Sequence, residues 1–175
     1  KLAGHKPLEM GLIGNEGMLG VTLALGISEA PMQALVQGQG TAWRIEIADL
    51  KHVLSHSPHL RHILQQYLFV QLSQLSQSAA CAHFHQLSPR LARWLLMSHD
   101  RAHCNDFFLT HQFLADMLGV RRSGVTVAAG TMQQQKFISY SRGTISILDR
   151  KALQHLACEC YQAALDDYQS VLGEP

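Results

Sequence analysis

Leu109–Asp149 reads "LTHQFLADMLGVRRSGVTVAAGTMQQQKFISYSRGTISILD", and its changes of period decide the fold. Thr110 is a good N-cap, because its hydroxyl can accept from a first-turn amide that has no partner within the helix. Phe113, Leu114, Met117 and Leu118 follow at helical spacing and predict one buried stripe. Gly119 supplies the backbone freedom of a sharp turn. From Arg121 to about Gln134 a second helix is expected, with Val125, Ala128, Ala129 and Met132 inward and Arg122, Ser123, Thr126 and Gln133 outward. A short helix, a glycine turn and a second helix that opens on exposed polar residues make a helix-turn-helix. Two β-rich runs come next, Phe137–Tyr140 and Thr144–Leu148, around Ser141-Arg142-Gly143. They predict a hairpin with a basic tip, and so a winged helix.

This pattern points to nucleic acid. The second helix of such a motif enters the major groove with its N-terminal residues at base edges. Arginine there bonds bidentately to guanine O6 and N7, small side chains permit close approach, and a wing arginine reaches phosphate. Charge supports the reading. Residues 1–87 hold five Lys/Arg and five Asp/Glu, residues 88–151 hold nine against four, and residues 152–175 hold none against four. The basic middle is an electrostatic footprint, while the acidic end (Asp166, Asp167, Glu174) should pack away from a polyanion.

Upstream, Ser88-Pro89 restarts a helix, with Leu91, Trp94 and Leu95 facing inward. Before it, from His59 to about His85, runs a stripe of Leu60, Ile63, Leu64, Tyr67, Leu68, Leu72, Leu75 and Ala79. A helix of that length, roughly 40 Å at about 1.5 Å per residue, with a polar, uncharged far side, is expected to pack on a second copy. The expected interface is Leu60, Leu64, Tyr67, Leu68, Gln71 and Leu75. "ADLKHVLSHSP" predicts a short helix ending before Pro58. Residues 1–48 are punctuated by glycine; "IGNEG" and "VQGQGT" suggest turns and "TAWRIEI" (Thr41–Ile47) a strand, as in part of a β-roll. After the wing one helix is expected from Arg150 to Leu172. Only 15% of residues are charged and 47% hydrophobic, an excess that suits an apolar surface covered by a partner.

In its order of segments the chain resembles the Crp/Fnr family of bacterial transcription regulators, most closely over residues 87–150. The resemblance implies an α+β fold: a partial β-roll and short helix (1–56), a long dimerisation helix (57–86) and a winged helix-turn-helix with an extra C-terminal helix (87–175). It implies a cytoplasmic homodimer on double-stranded DNA, its recognition helices about 34 Å apart, with RNA polymerase as a further partner. Residue by residue, Arg122 matches the base-reading arginine and Ser123 the place of a glutamate that reads cytosine. Thr110 and Gln112 match phosphate-contacting positions, and Ser141 and Arg142 the wing tip. Arg121 and Thr126 complete the expected DNA face. Two departures stand out: Val127 replaces a second base-contacting arginine, and Arg121 stands where a capping serine is common. The family's roll exceeds about 100 residues, so with about 50 before the long helix it is expected to be incomplete. Its nucleotide pocket needs a Gly-Glu pair and, about ten residues on, an arginine. In "GVTLALGISEAPMQAL" (Gly20–Leu35) Val21 takes the glutamate's place and Met32 or Gln33 the arginine's, so no response to cyclic nucleotides is expected.

Other chemistry is thin. The four cysteines, Cys81, Cys104, Cys158 and Cys160, form no CxxC pair and suggest free thiols. His52 with His56, and His99 with His103 beside Cys104, have chelating spacing, but no adjacent carboxylate completes a site, so no metal, cofactor or iron–sulfur cluster is expected. No nucleophile or phosphate-loop motif occurs, so no enzyme and no catalytic residue is expected. No run of apolar residues long enough to span a membrane occurs. The rival readings are a metal- or small-molecule-responsive sensor and a protein–protein module built on a winged helix.

Overall fold

The structure, a computed structural model, describes residues 8–173. Its elements in chain order are α1 (Ile47–His56), α2 (Pro58–Phe84), α3 (Leu87–Ala102), β1 (Asp106–Phe108), α4 (His111–Leu118), α5 (Arg122–Gln134), β2 (Ile138–Ser141), β3 (Thr144–Ile147), α6 (Arg150–Leu156) and α7 (Cys160–Leu172). The chain is α+β, mostly helical, with one small antiparallel sheet in the order β1-β3-β2.

The winged-helix half forms around α3, whose Leu91, Leu95 and Leu96 are fully buried. Leu114, Val125, Ala129, Met132, Ile138, Ile145 and Leu153 close over them from α4, α5, the sheet and α6. Alternation in β3 sends Ile145 and Ile147 inward, and Ile145 pairs with Phe107 on one side and Tyr140 on the other. Arg90 ties α3 to the end of α4, its Nη2 donating to the Leu118 carbonyl at 2.6 Å, where the helix leaves carbonyls without partners.

α2 begins as its sequence dictates, with Pro58 in the first turn and the Ser57 hydroxyl accepting from the Leu60 amide at 3.3 Å. Its inward face is Tyr67, Val70, Gln74 and Cys81. That face meets α7, where Ser73 donates to Asp167 Oδ2 at 2.6 Å and Tyr67 lies 6.4 Å from Tyr168. A Cβ on Gly17 would fall 2.0 Å from the Tyr67 hydroxyl, so this close approach requires glycine.

Two expectations are corrected. Thr41–Ile47 forms no strand: Thr41 to Glu46 is exposed coil and Ile47 already begins α1. A strand persists only when a neighbour takes up its amides and carbonyls, and among the described residues none pairs there; Trp43 is fully exposed. Residues 8–46 instead run as coil with a single 3-10 turn, Val21–Leu25. Residues 1–7 and Glu174, read as β and as acidic tail, lie outside the described residues. The last helix is also two, broken at Ala157–Glu159. The break lets α6 pack on α3 while α7 turns onto α2. Arg150 and Tyr161 brace it: Arg150 Nη2 donates to Asp100 Oδ1 at 2.7 Å and to the Tyr161 hydroxyl at 2.8 Å, and that hydroxyl donates to Asp100 Oδ2 at 2.7 Å.

The N-terminal coil is strapped to α3. Trp94 Nε1 donates to Glu9 Oε1 at 2.8 Å, Arg101 holds Glu16 at 2.8 Å, and its Nε donates to the Leu12 carbonyl at 3.1 Å. Burial pushes the Glu9 carboxyl up to about 7, against the pull of the Trp94 and Gln37 hydrogen bonds and of the Arg93 and Arg101 charges. The folded chain therefore holds this proton more tightly than the unfolded chain does. Stability from the protonated strap is complete below about 4.5 and is lost as pH rises through about 7. The loss is at most about 3 kcal/mol. Melting temperatures across that window are expected to fall for the native chain and to stay flatter for Glu9→Gln; parallel curves for the two would contradict the assignment.

Candidate nucleic-acid interface

The turn between α4 and α5 is built as its residues require. The Thr110 hydroxyl accepts from the Phe113 amide at 3.1 Å and caps α4. Gly119 ends α4 in the left-handed region at φ 67°. Arg121 is the N-cap of α5 and supplies no side-chain cap, so the first amides of α5 remain open to an anion. Val125, Ala128, Ala129 and Met132 are buried, which turns Arg121, Arg122, Ser123, Thr126 and Val127 to solvent. Val127 is 70% exposed, an apolar side chain on an otherwise polar face. Gly124 brings α5 against the start of α3; a Cβ there would lie 2.9 Å from Leu87 Cδ2.

The wing is a two-residue hairpin. Ser141 pairs with Thr144, and Arg142 (φ 50°) and Gly143 (φ 87°) both take positive φ, the type I′ geometry whose twist suits antiparallel strands. Arg142 thus stands at the exposed tip.

One residue that sequence reasoning missed draws these pieces together. His111, the first residue of α4, places Nδ1 3.0 Å from the Thr126 hydroxyl on α5. Its ring stacks on Tyr140 of β2, centroids 4.1 Å apart and planes 16° apart. The Tyr140 amide in turn donates to Gln133 Oε1 of α5 at 2.9 Å. Burial, and next the Arg122 charge, push the His111 pKa down, so the neutral ring is favoured at the centre of the face. No periodicity in the sequence marks this histidine, because its two partners, Thr126 and Tyr140, come from separate elements.

The expected DNA residues therefore gather on joined elements: Thr110 and Gln112 flank His111, Arg121, Arg122, Ser123 and Thr126 lie on the open side of α5, and Ser141 and Arg142 form the tip. Gln112 is exposed and donates to Asp116 Oδ1 at 2.8 Å. The expected dimer residues divide between two faces. Tyr67 is buried within its own chain. Leu60, Leu64, Leu68, Gln71 and Leu75 are half-buried, and beside them Leu72 is 62% exposed.

The family model of the Crp-like helix-turn-helix domain matches residues 89–156. Over these residues the chain is similar to that domain. A Crp/Fnr family transcriptional regulator of Thermus thermophilus is similar at 26% identity and a TM-score of 0.50, over 53% of this chain and 51% of that one. FixK2 of Bradyrhizobium japonicum shares the fold at 17% identity and a TM-score of 0.57, over 65% of this chain and 60% of that one. No curated protein sequence matches. The chain spans about half the length of the regulators it resembles. Along the chain a long helix, a helix-turn-helix and a wing follow in that order. No helix among the described residues is long and apolar enough to cross a membrane.

Proposed function

We propose that the chain is a sequence-specific DNA-binding transcriptional regulator that works as a homodimer and does not answer to cyclic nucleotides. The observation that carries this reading is the face of α5, where Arg121, Arg122, Ser123 and Thr126 stand exposed along a helix otherwise seated by buried small and apolar residues. Arg122 and Ser123 read base edges. Val127 meets a thymine methyl where an arginine would have met guanine, as apolar side chains do in the major groove. Thr110, Gln112, Ser141 and the open amides of α5 hold phosphate and set the register. Against a nucleotide pocket, Val21 is buried in the 3-10 turn and Met32 and Gln33 lie on exposed coil, so neither site offers a group for ribose or cyclic phosphate.

Selection of bound duplexes from a random pool, with and without cyclic AMP, tests the reading. One enriched palindrome is expected in both conditions; enrichment of nothing, or only with the nucleotide, contradicts it. Salt separates DNA from a protein partner, since binding to phosphate releases counterions. Arg142→Ala is expected to weaken all duplexes alike and to lower the slope of log affinity against log salt by about one per half-site. An unchanged slope would remove Arg142 from the interface.

A further inference from the structure

The fold gathers three of the four cysteines, which the sequence leaves far apart, around one histidine. Cys81 lies in the last turn of α2 and His85 directly follows that helix, one turn on. Cys158 lies in the break after α6, and Cys160 is the first residue of α7. Their ligand atoms all lie within 4.8 Å of one another, and no other group of three or more such residues occurs among the described ones. Cys81 Sγ is 3.6 Å from Cys158 Sγ, and Cys160 Sγ is 3.5 Å from His85 Nδ1.

These two distances match edges of a coordination tetrahedron. Sulfurs at about 2.3 Å and a nitrogen at about 2.0 Å from a central ion give S–S edges of about 3.8 Å and S–N edges of about 3.5 Å. A disulfide would need about 2.05 Å between sulfurs, so Cys81 and Cys158 are not bonded to each other. We propose that Cys81, His85, Cys158 and Cys160 form a Cys3His site for a zinc-class divalent cation, which clamps the end of α2 to the start of α7.

The surroundings supply what such a site requires. His85 Nε2 lies 3.0 Å from Glu159 Oε1. A proton donated there fixes the tautomer and leaves the Nδ1 lone pair for the ion, the carboxylate–histidine arrangement of metal centres. Three thiolates, a neutral imidazole and a divalent ion sum to one negative charge. The three sulfurs are buried, while His85 is only partly so and Glu159 is exposed, which leaves an entry path. Closed four-ligand sites of this kind are structural. This one joins the long helix to the segment that leaves the wing, so it fixes how the DNA-reading half sits against the helix expected to pair.

The site departs from the pairs that spacing suggested. His52 and His56 lie on one helix turn with no third ligand, and His99 and His103 turn to Asn105 at 2.8 Å and Asn15 at 3.4 Å. The full chain, reduced and freed of metal, is titrated with cobalt(II) and then zinc(II). One ion per chain is expected, with the visible bands and thiolate-to-metal charge transfer of tetrahedral cobalt, bleached by zinc. Zinc is expected to shield three thiols from a thiol reagent and leave Cys104, which is exposed, reactive. Cys81→Ser and Cys158→Ser lose the bands, Cys104→Ser keeps them, and the native chain gains several degrees in Tm with zinc. Absence of tetrahedral cobalt spectra, full reactivity of all four thiols in zinc, or a Cys81–Cys158 disulfide whose reduction restores no metal binding overturns the proposal. Because the cobalt titration uses the native chain, it holds even where a serine variant fails to fold.

Discussion

Arg122→Ala is expected to lower affinity for the selected operator by about 1–3 kcal/mol per half-site, roughly 5- to 150-fold, and to relax base preference at one position. The reason lies in how α5 is seated. Val125, Ala128, Ala129 and Met132 are locked in the core, so the helix cannot rotate to compensate. Arg122 is exposed at its first turn, where a side chain entering the major groove meets a base edge before a phosphate. Its backbone carbonyl also accepts from the Thr126 hydroxyl at 3.1 Å, and Thr126 is held by His111, so the arginine leaves from a braced turn. Binding assays on the operator and on its single-position variants separate the roles. A base-reading arginine loses affinity for the preferred sequence and little for the rest. A uniform loss across all sequences would make Arg122 a phosphate contact.

The larger effect is expected from the uncovered side of α2. With Tyr67, Val70, Gln74 and Cys81 turned inward, Leu68, Leu72, Leu75, Ala79 and Ala82 remain at alternating steps of four and three. That is the spacing that the seam of a two-stranded coiled coil requires. A double substitution of Leu72 and Leu75 by glutamate places four like charges in that seam of a dimer. Sedimentation is expected to show a dimer for the native chain and a monomer for the variant. Operator affinity is expected to fall by about 10²–10⁴-fold, because the second half-site no longer binds as an intramolecular event. Circular dichroism should retain the helical content, since both leucines lie off the intramolecular core. A variant that still sediments as a dimer would move the interface elsewhere.

The same helix shows what sequence could and could not settle. Its apolar residues read as a single stripe, from Leu60 through Tyr67 to Ala79. The structure divides them between α7 and a free face, and Tyr67 falls on the inner one. Periodicity says which residues share a side of a helix; it does not say which of two neighbours covers that side. The strand expected at Thr41–Ile47 failed for a related reason. β-propensity describes fit to a sheet, and among the described residues no partner strand lies alongside.

Residues 109–149 needed no such arbitration. The Thr110 cap, the Gly119 turn and the Arg142-Gly143 hairpin are local signals, each satisfied within a few residues of itself, and the four buried positions of α5 follow one helical period. They therefore determined the helix-turn-helix and wing, and with them the exposed places of Arg121, Arg122 and Ser123. Contacts between elements were decided by the tertiary structure alone. His111 meets Thr126 and Tyr140, the C-terminal segment breaks at Ala157–Glu159 so that α6 and α7 can serve different neighbours, and Cys81 meets Cys158 across 77 residues of chain. Closure over such a separation depends on the packing of everything between, and no local spacing records it.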